Sequence, residues 1–172
     1  MKPLNEDGLR EWFARAHIDA ADPARGIGQE LRYRSYARRT IVIILAETDP
    51  LEYCVDVVSR VLESDDEWLL IPRYGSVGDL DLMAEPGNAK ALSFTAAEKH
   101  ALATYLCTRS TDLGSISADL YVIGYRGDIL ITWDHHSADE GISIELQSVS
   151  DATRLLVSLN HFGVELELFY TQ

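Results

Sequence analysis

Cysteine is scarce: Cys54 and Cys107 are the only two in a chain of 172 residues. At most one disulfide is available, so no disulfide framework holds the fold, and both thiols read as small buried hydrophobes of a reducing compartment. Long apolar runs are missing too. The longest, Ile41-Val42-Ile43-Ile44-Leu45-Ala46, is a buried strand and falls far short of the ~20 residues of a membrane helix. The first residues, Met1-Lys2-Pro3-Leu4 and then Asn5-Glu6-Asp7, contain no apolar core of a secretory signal, and a cytoplasmic location is expected. No repeat, low-complexity tract or linker divides the chain. The expectation is a single domain over 1–172, with an N-terminal helix and Arg-rich arm at 1–38 and an acidic sheet-and-helix body at 39–172.

Positive charge is also in short supply. Fifteen Lys and Arg face twenty-eight Asp and Glu, a net charge of -13. Binding nucleic acid or an anionic membrane requires cations that neutralise phosphate, so neither partner is expected. A basic protein is the natural complement of such a surface. The imbalance is uneven. Residues 1–39 hold eight basic and six acidic groups, a balance of +2, whereas 40–172 hold seven basic and twenty-two acidic, a balance of -15. The arginines at 25, 32, 34, 38 and 39 read as solvated side chains facing the acidic remainder, or as an anion-binding patch, since guanidinium suits phosphate and carboxylate.

The motifs of nucleophilic and nucleotide chemistry are lacking. No serine stands in a Gly-x-Ser-x-Gly elbow. Gly26-Ile27-Gly28 has neither the third glycine nor the preceding strand of a dinucleotide site, and no lysine follows it as in a P-loop. No cofactor is called for.

What is present is a regular alternation of helix and strand patterns. Leu9, Trp12, Phe13 and Ala16 have helical spacing, which predicts an amphipathic helix over 4–17. A strand is expected from Arg39 to Glu47. Pro50 then opens a helix with a broad apolar stripe through Leu51, Cys54, Val55, Val58, Val61 and Leu62. Trp68–Ile71 reads as a short buried strand, and 74–93 as a polar loop. Thr95-Ala96-Ala97-Glu98 has the form of a capping box. Leu120–Tyr125 and Ile129–Trp133 read as a hairpin around Arg126-Gly127-Asp128, a turn signal rather than an integrin motif. Residues 142–146 and 164–170 alternate as strands, separated by a helix that stops near Gly163. The fold class expected is α+β: a mainly antiparallel sheet of about five to six strands, with about four helices packed mostly on one face.

Two segments carry residues suited to function. Asp134-His135-His136, with Asp139 and Glu140 close behind, follows the strand ending at Trp133, and carboxylates with imidazoles are the ligand types of zinc and manganese. Locally this is similar to the Asp-His-His signature of the DHH phosphoesterases. Asp79-Leu80-Asp81 has the residue types of that family's upstream aspartate pair. The resemblance covers only these few residues, and it implies a metal-dependent hydrolase using Asp134, His135, His136 and Asp139. The second segment, Ile71-Pro72-Arg73-Tyr74-Gly75, delivers Arg73 and Tyr74 from a buried strand to a loop, and both residue types are enriched where proteins hold partners. Acidic groups gather nearby at Asp65-Asp66-Glu67, Asp79 and Asp81. The sequence therefore favours a non-catalytic acidic interaction protein of the immunity type. Asp65, Asp66, Glu67, Arg73, Tyr74, Asp79 and Asp81 would meet the partner, with the small metal-dependent hydrolase as the alternative.

Overall fold

The computed structural model describes residues 1–17, 39–44, 49–72, 76–80, 82–85, 87–110, 120–125, 129–133, 142–146 and 149–169. Among the described residues eight strands, β1 (Lys2–Leu4), β2 (Arg39–Ile44), β3 (Glu67–Pro72), β4 (Ala91–Thr95), β5 (Leu120–Gly124), β6 (Ile129–Trp133), β7 (Ile142–Leu146) and β8 (Glu165–Phe169), form one sheet in the order β1-β4-β3-β5-β6-β7-β2-β8. Every pairing in it is antiparallel. Four helices accompany it: α1 (Glu6–Arg15), α2 (Leu51–Leu62), α3 (Lys99–Ser110) and α4 (Val149–Leu159).

Eight strands exceed the five to six expected from the sequence. The two additions are β1 and β4. The first spans only three residues, too few for any periodicity to show. The second, Ala91-Leu92-Ser93-Phe94-Thr95, lies at the end of the stretch read as polar loop. Its first four residues are all buried, so it has no wet face, and the alternation that marks a half-solvated strand never arises.

The helix ends follow local chemistry. The Asn5 side chain accepts a hydrogen bond from the Gly8 backbone N–H at 2.9 Å and so caps α1. Pro50 stands immediately before α2, where its missing N–H goes unused. The capping box at Thr95 is present: the Glu98 carboxylate accepts from the Thr95 backbone N–H at 2.9 Å. It opens a 3-10 turn that runs into α3. After α4 a second 3-10 turn, Asn160–Phe162, ends at Gly163, whose φ of 66° is left-handed and favours glycine.

The sheet separates two cores. On one face Ile41 and Ile43 of β2, Trp68 and Leu70 of β3, Leu92 and Phe94 of β4, and Leu120 and Val122 of β5 pack with Val55, Val58 and Leu62 of α2, Leu102 and Leu106 of α3, and Leu155 and Leu159 of α4. On the other, Leu69, Ile71, Ala91 and Ile123 receive Leu9, Trp12 and Phe13 of α1. Among the described residues the helices thus lie mostly on one face, three to one. The period-two alternation of a strand sends neighbours such as Trp68 and Leu69 to opposite cores. Strand β3 is buried from Trp68 through Pro72 because both of its faces are covered.

Candidate interaction surface

The acidic run Asp65-Asp66-Glu67 lies where α1 meets the sheet, and its three members have different roles. Asp65 is only 5% exposed. Its Oδ1 accepts from the Asp66 backbone N–H at 2.7 Å, and its carboxylate lies against the α-carbon of Gly124. Asp66 is exposed. Glu67 begins β3, and its side chain points under α1. There Oε1 accepts from the indole Nε1 of Trp12 at 2.7 Å and from Ser93 Oγ at 2.8 Å. Arg15 Nη2 stands 3.8 Å from the same oxygen. The Arg15 guanidinium also lies over the Tyr125 ring, 5.4 Å from its centroid, and the Tyr125 ring meets Trp12 edge-on at 5.7 Å. The Tyr125 backbone N–H donates to the Glu67 carbonyl at 2.9 Å, which closes the group from below.

This cluster is an anchor. Trp12 is fully buried, and a buried indole N–H without an acceptor is costly; Glu67 supplies that acceptor and holds α1 against β3. Trp12 and Ser93 lie 55 and 26 residues from Glu67 in sequence, so no local spacing pointed to either contact. Of the acidic run, Asp66 is exposed, Glu67 is half-buried and Asp65 is buried.

The other residues singled out from the sequence are placed less fully. Asp79 falls in a 3-10 turn, Val77–Leu80. Arg73, Tyr74 and Asp81 lie outside the described residues, as do Asp134, His135, His136 and Asp139 of the metal-ligand pattern and the arginines at 25, 32, 34 and 38. Among the described residues no three His, Cys, Asp or Glu side chains gather as a metal site requires, and no helix is long and apolar enough to cross a membrane.

The two cysteines share the helix-side core. Cys107 is buried and Cys54 half-buried, and neither is in a disulfide. Burial pushes the Cys107 thiol up to about 12, with Cys54 adding to the effect. Cys54 is raised as well, first by burial and then by the Asp49 carboxylate. Neither thiol is poised as a nucleophile, since thiolate is the reactive form.

A second acidic feature emerges from strand register. Ile41 and Ile43 belong to the helix-side core, so Thr40, Val42 and Ile44 occupy the opposite sheet face, the one that carries α1 at its far end. Glu145 of β7 pairs with Thr40, and Glu167 and Glu165 of β8 pair with Val42 and Ile44. Three glutamate positions thus share one face of the strands β7, β2 and β8, and Glu165 is exposed. Further exposed acids stand on α2, at Glu52 and Asp56. No protein-family model, no curated protein and no solved structure matches this chain.

Proposed function

We propose that this chain is a non-catalytic acidic interaction protein, an immunity-type inhibitor that masks the anion-binding surface of a basic partner in the cytoplasm. The observation that carries this reading is the distribution of charge: residues 40–172 have twenty-two acidic groups against seven basic. The exposed carboxylates of Glu52, Asp56, Asp66, Glu85 and Glu165 and the three glutamate positions on strands β7 and β8 support it. A basic groove that normally holds an anionic substrate would accept such a surface, and complementary charge would speed the encounter. Asp66, Glu67, Asp79 and Asp81, with Arg73 and Tyr74, remain proposed contacts. Asp65, which is buried, serves the contact indirectly, by fixing the segment that presents Asp66.

The test is recovery of the partner at low salt from the cells that make this protein, followed by association kinetics across salt. The on-rate should fall steeply once the screening length drops below ~10 Å, while the off-rate changes little. Substituting Asp66→Asn should act in the same direction. Recovery of no basic protein, or of one whose association ignores salt, overturns the reading. Stoichiometric zinc or manganese in the purified protein would instead favour a metal-dependent hydrolase built on Asp134, His135, His136 and Asp139.

A further inference from the structure

We infer that β8 is a docking edge for an extended basic segment of the partner, which adds to the sheet as a further antiparallel or parallel strand. The inference rests on the proposed function above and specifies which surface is used and what form the partner takes. Strand β8 ends the sheet among the described residues: its one neighbour is β2, paired from Thr40↔Phe169 to Ile44↔Glu165. The outer backbone row of such a strand presents N–H and C=O groups that another chain can pair with.

The residue pattern names the occupant. Along Glu165-Leu166-Glu167-Leu168-Phe169, positions 166 and 168 pair with Ile43 and Ile41 on the helix-side face, and Leu166 packs against that core. Positions 165 and 167 take the other face. A strand laid alongside would set its own residues opposite these. Directly opposed cross-strand pairs stabilise when their charges are opposite and destabilise when they are alike. The fitting segment therefore alternates Lys or Arg, opposite the glutamates, with Val, Ile or Leu, opposite the leucines.

The same pattern disfavours two antiparallel registers for a second copy of this chain. Antiparallel self-pairing centred on Leu166 sets Glu165 against Glu167, and centring on Glu167 sets that residue against itself. In those registers the edge glutamates oppose self-pairing while leaving the edge open to a cationic strand. The opposite edge, β1, is only three residues long and includes Lys2 and Pro3, so it offers neither the length nor the charge.

The probe is a short peptide of alternating Lys and Val, tested against the full chain by backbone NMR and by fluorescence anisotropy. Binding should perturb the amides of β8 first. The charge reversal E165K/E167K should weaken it by roughly tenfold or more and confer binding of the matching Glu/Val peptide. N-methylating the peptide on alternate residues, which removes the donors that face the sheet, should abolish binding. Reversal of Glu52 and Asp56 on α2 should have little effect. If N-methylation is harmless, or if the α2 reversal matters as much as the β8 reversal, the attraction is diffuse charge and the docking edge is overturned. The masking function then stands or falls separately, on recovery of a salt-sensitive basic partner. Loss of binding without gain of the Glu/Val peptide also counts against the edge, provided the variant keeps its unfolding transition.

Discussion

Gly124 of β5 and Asp65 are in such close contact that a Cβ at position 124 would fall 2.6 Å from Asp65 Oδ2, 3.3 Å from its Cγ and 3.4 Å from its Cβ. The glycine leaves space here for the Asp65 carboxylate, which would have to shift to admit any larger residue. Asp65 is buried and tied to the Asp66 N–H, so it has little room to do so. Gly124→Ala should destabilise the fold by ~1–3 kcal/mol, the range for overpacking a dense site. Asp65→Ala costs an acceptor on its own, but in the double variant the clash is gone. A double-mutant cycle by urea denaturation should therefore return a coupling of about 1 kcal/mol or more. Strict additivity would show that the contact is not a constraint.

The anchor between α1 and β3 should depend on an acceptor at position 67 more than on charge. Glu67→Ala leaves the buried Trp12 N–H without its partner and should cost about 1–3 kcal/mol. Glu67→Gln retains a carbonyl oxygen for Trp12 and Ser93 and should cost clearly less. Urea denaturation followed by tryptophan fluorescence checks both. Equal losses for the two variants would assign the stabilisation to the carboxylate's charge, with Arg15 as its partner.

The Ser59 hydroxyl of α2 is buried and has no hydrogen-bond partner among the described residues. Removing a buried, unsatisfied polar group and improving helix propensity act in the same direction. Ser59→Ala should raise stability by roughly 0.5–1 kcal/mol in thermal or urea unfolding. A loss would mean that the hydroxyl has a partner in use.

Alkaline stability should report on Cys107. Burial holds its thiol protonated in the folded protein, with a value of about 12 against an ordinary 9.0. A group raised in this way contributes fully below the ordinary thiol range and loses that contribution as pH rises from there through the folded value. Unfolding free energy should decline above pH ~9. Cys107→Ala removes the titration and should flatten that decline, while leaving a small cavity that lowers stability equally at all pH values. An unchanged slope would place the alkaline transition elsewhere, with Tyr53 and Cys54 the next groups to test, since both are raised first by burial.

Local signals alone determined much of this protein. The stripe through Val55, Val58, Val61 and Leu62 marked α2 because one turn of helix repeats every ~3.6 residues wherever the helix is placed. Thr95 and Glu98 marked the start of a helix because a capping box is satisfied within four residues. Gly163 marked a stop, and the alternating glutamates of β8 suggested a sheet edge, which is where that strand lies among the described residues. Charge, a sum over the chain, was legible without any structure.

Other features were decided only by tertiary structure. Strand β4 escaped notice because burial on both faces erases alternation. The acidic run at 65–67 looked like one exposed patch, since three adjacent carboxylates are identical to any local rule. Once β5 and α1 close around the run, Asp65 is pressed against Gly124, Glu67 becomes the half-buried acceptor for a tryptophan 55 residues away, and Asp66 stays exposed. The sharing of one sheet face by Glu145, Glu165 and Glu167 depends on the register of β7 and β8 against β2, which long-range pairing sets and no short window of sequence contains.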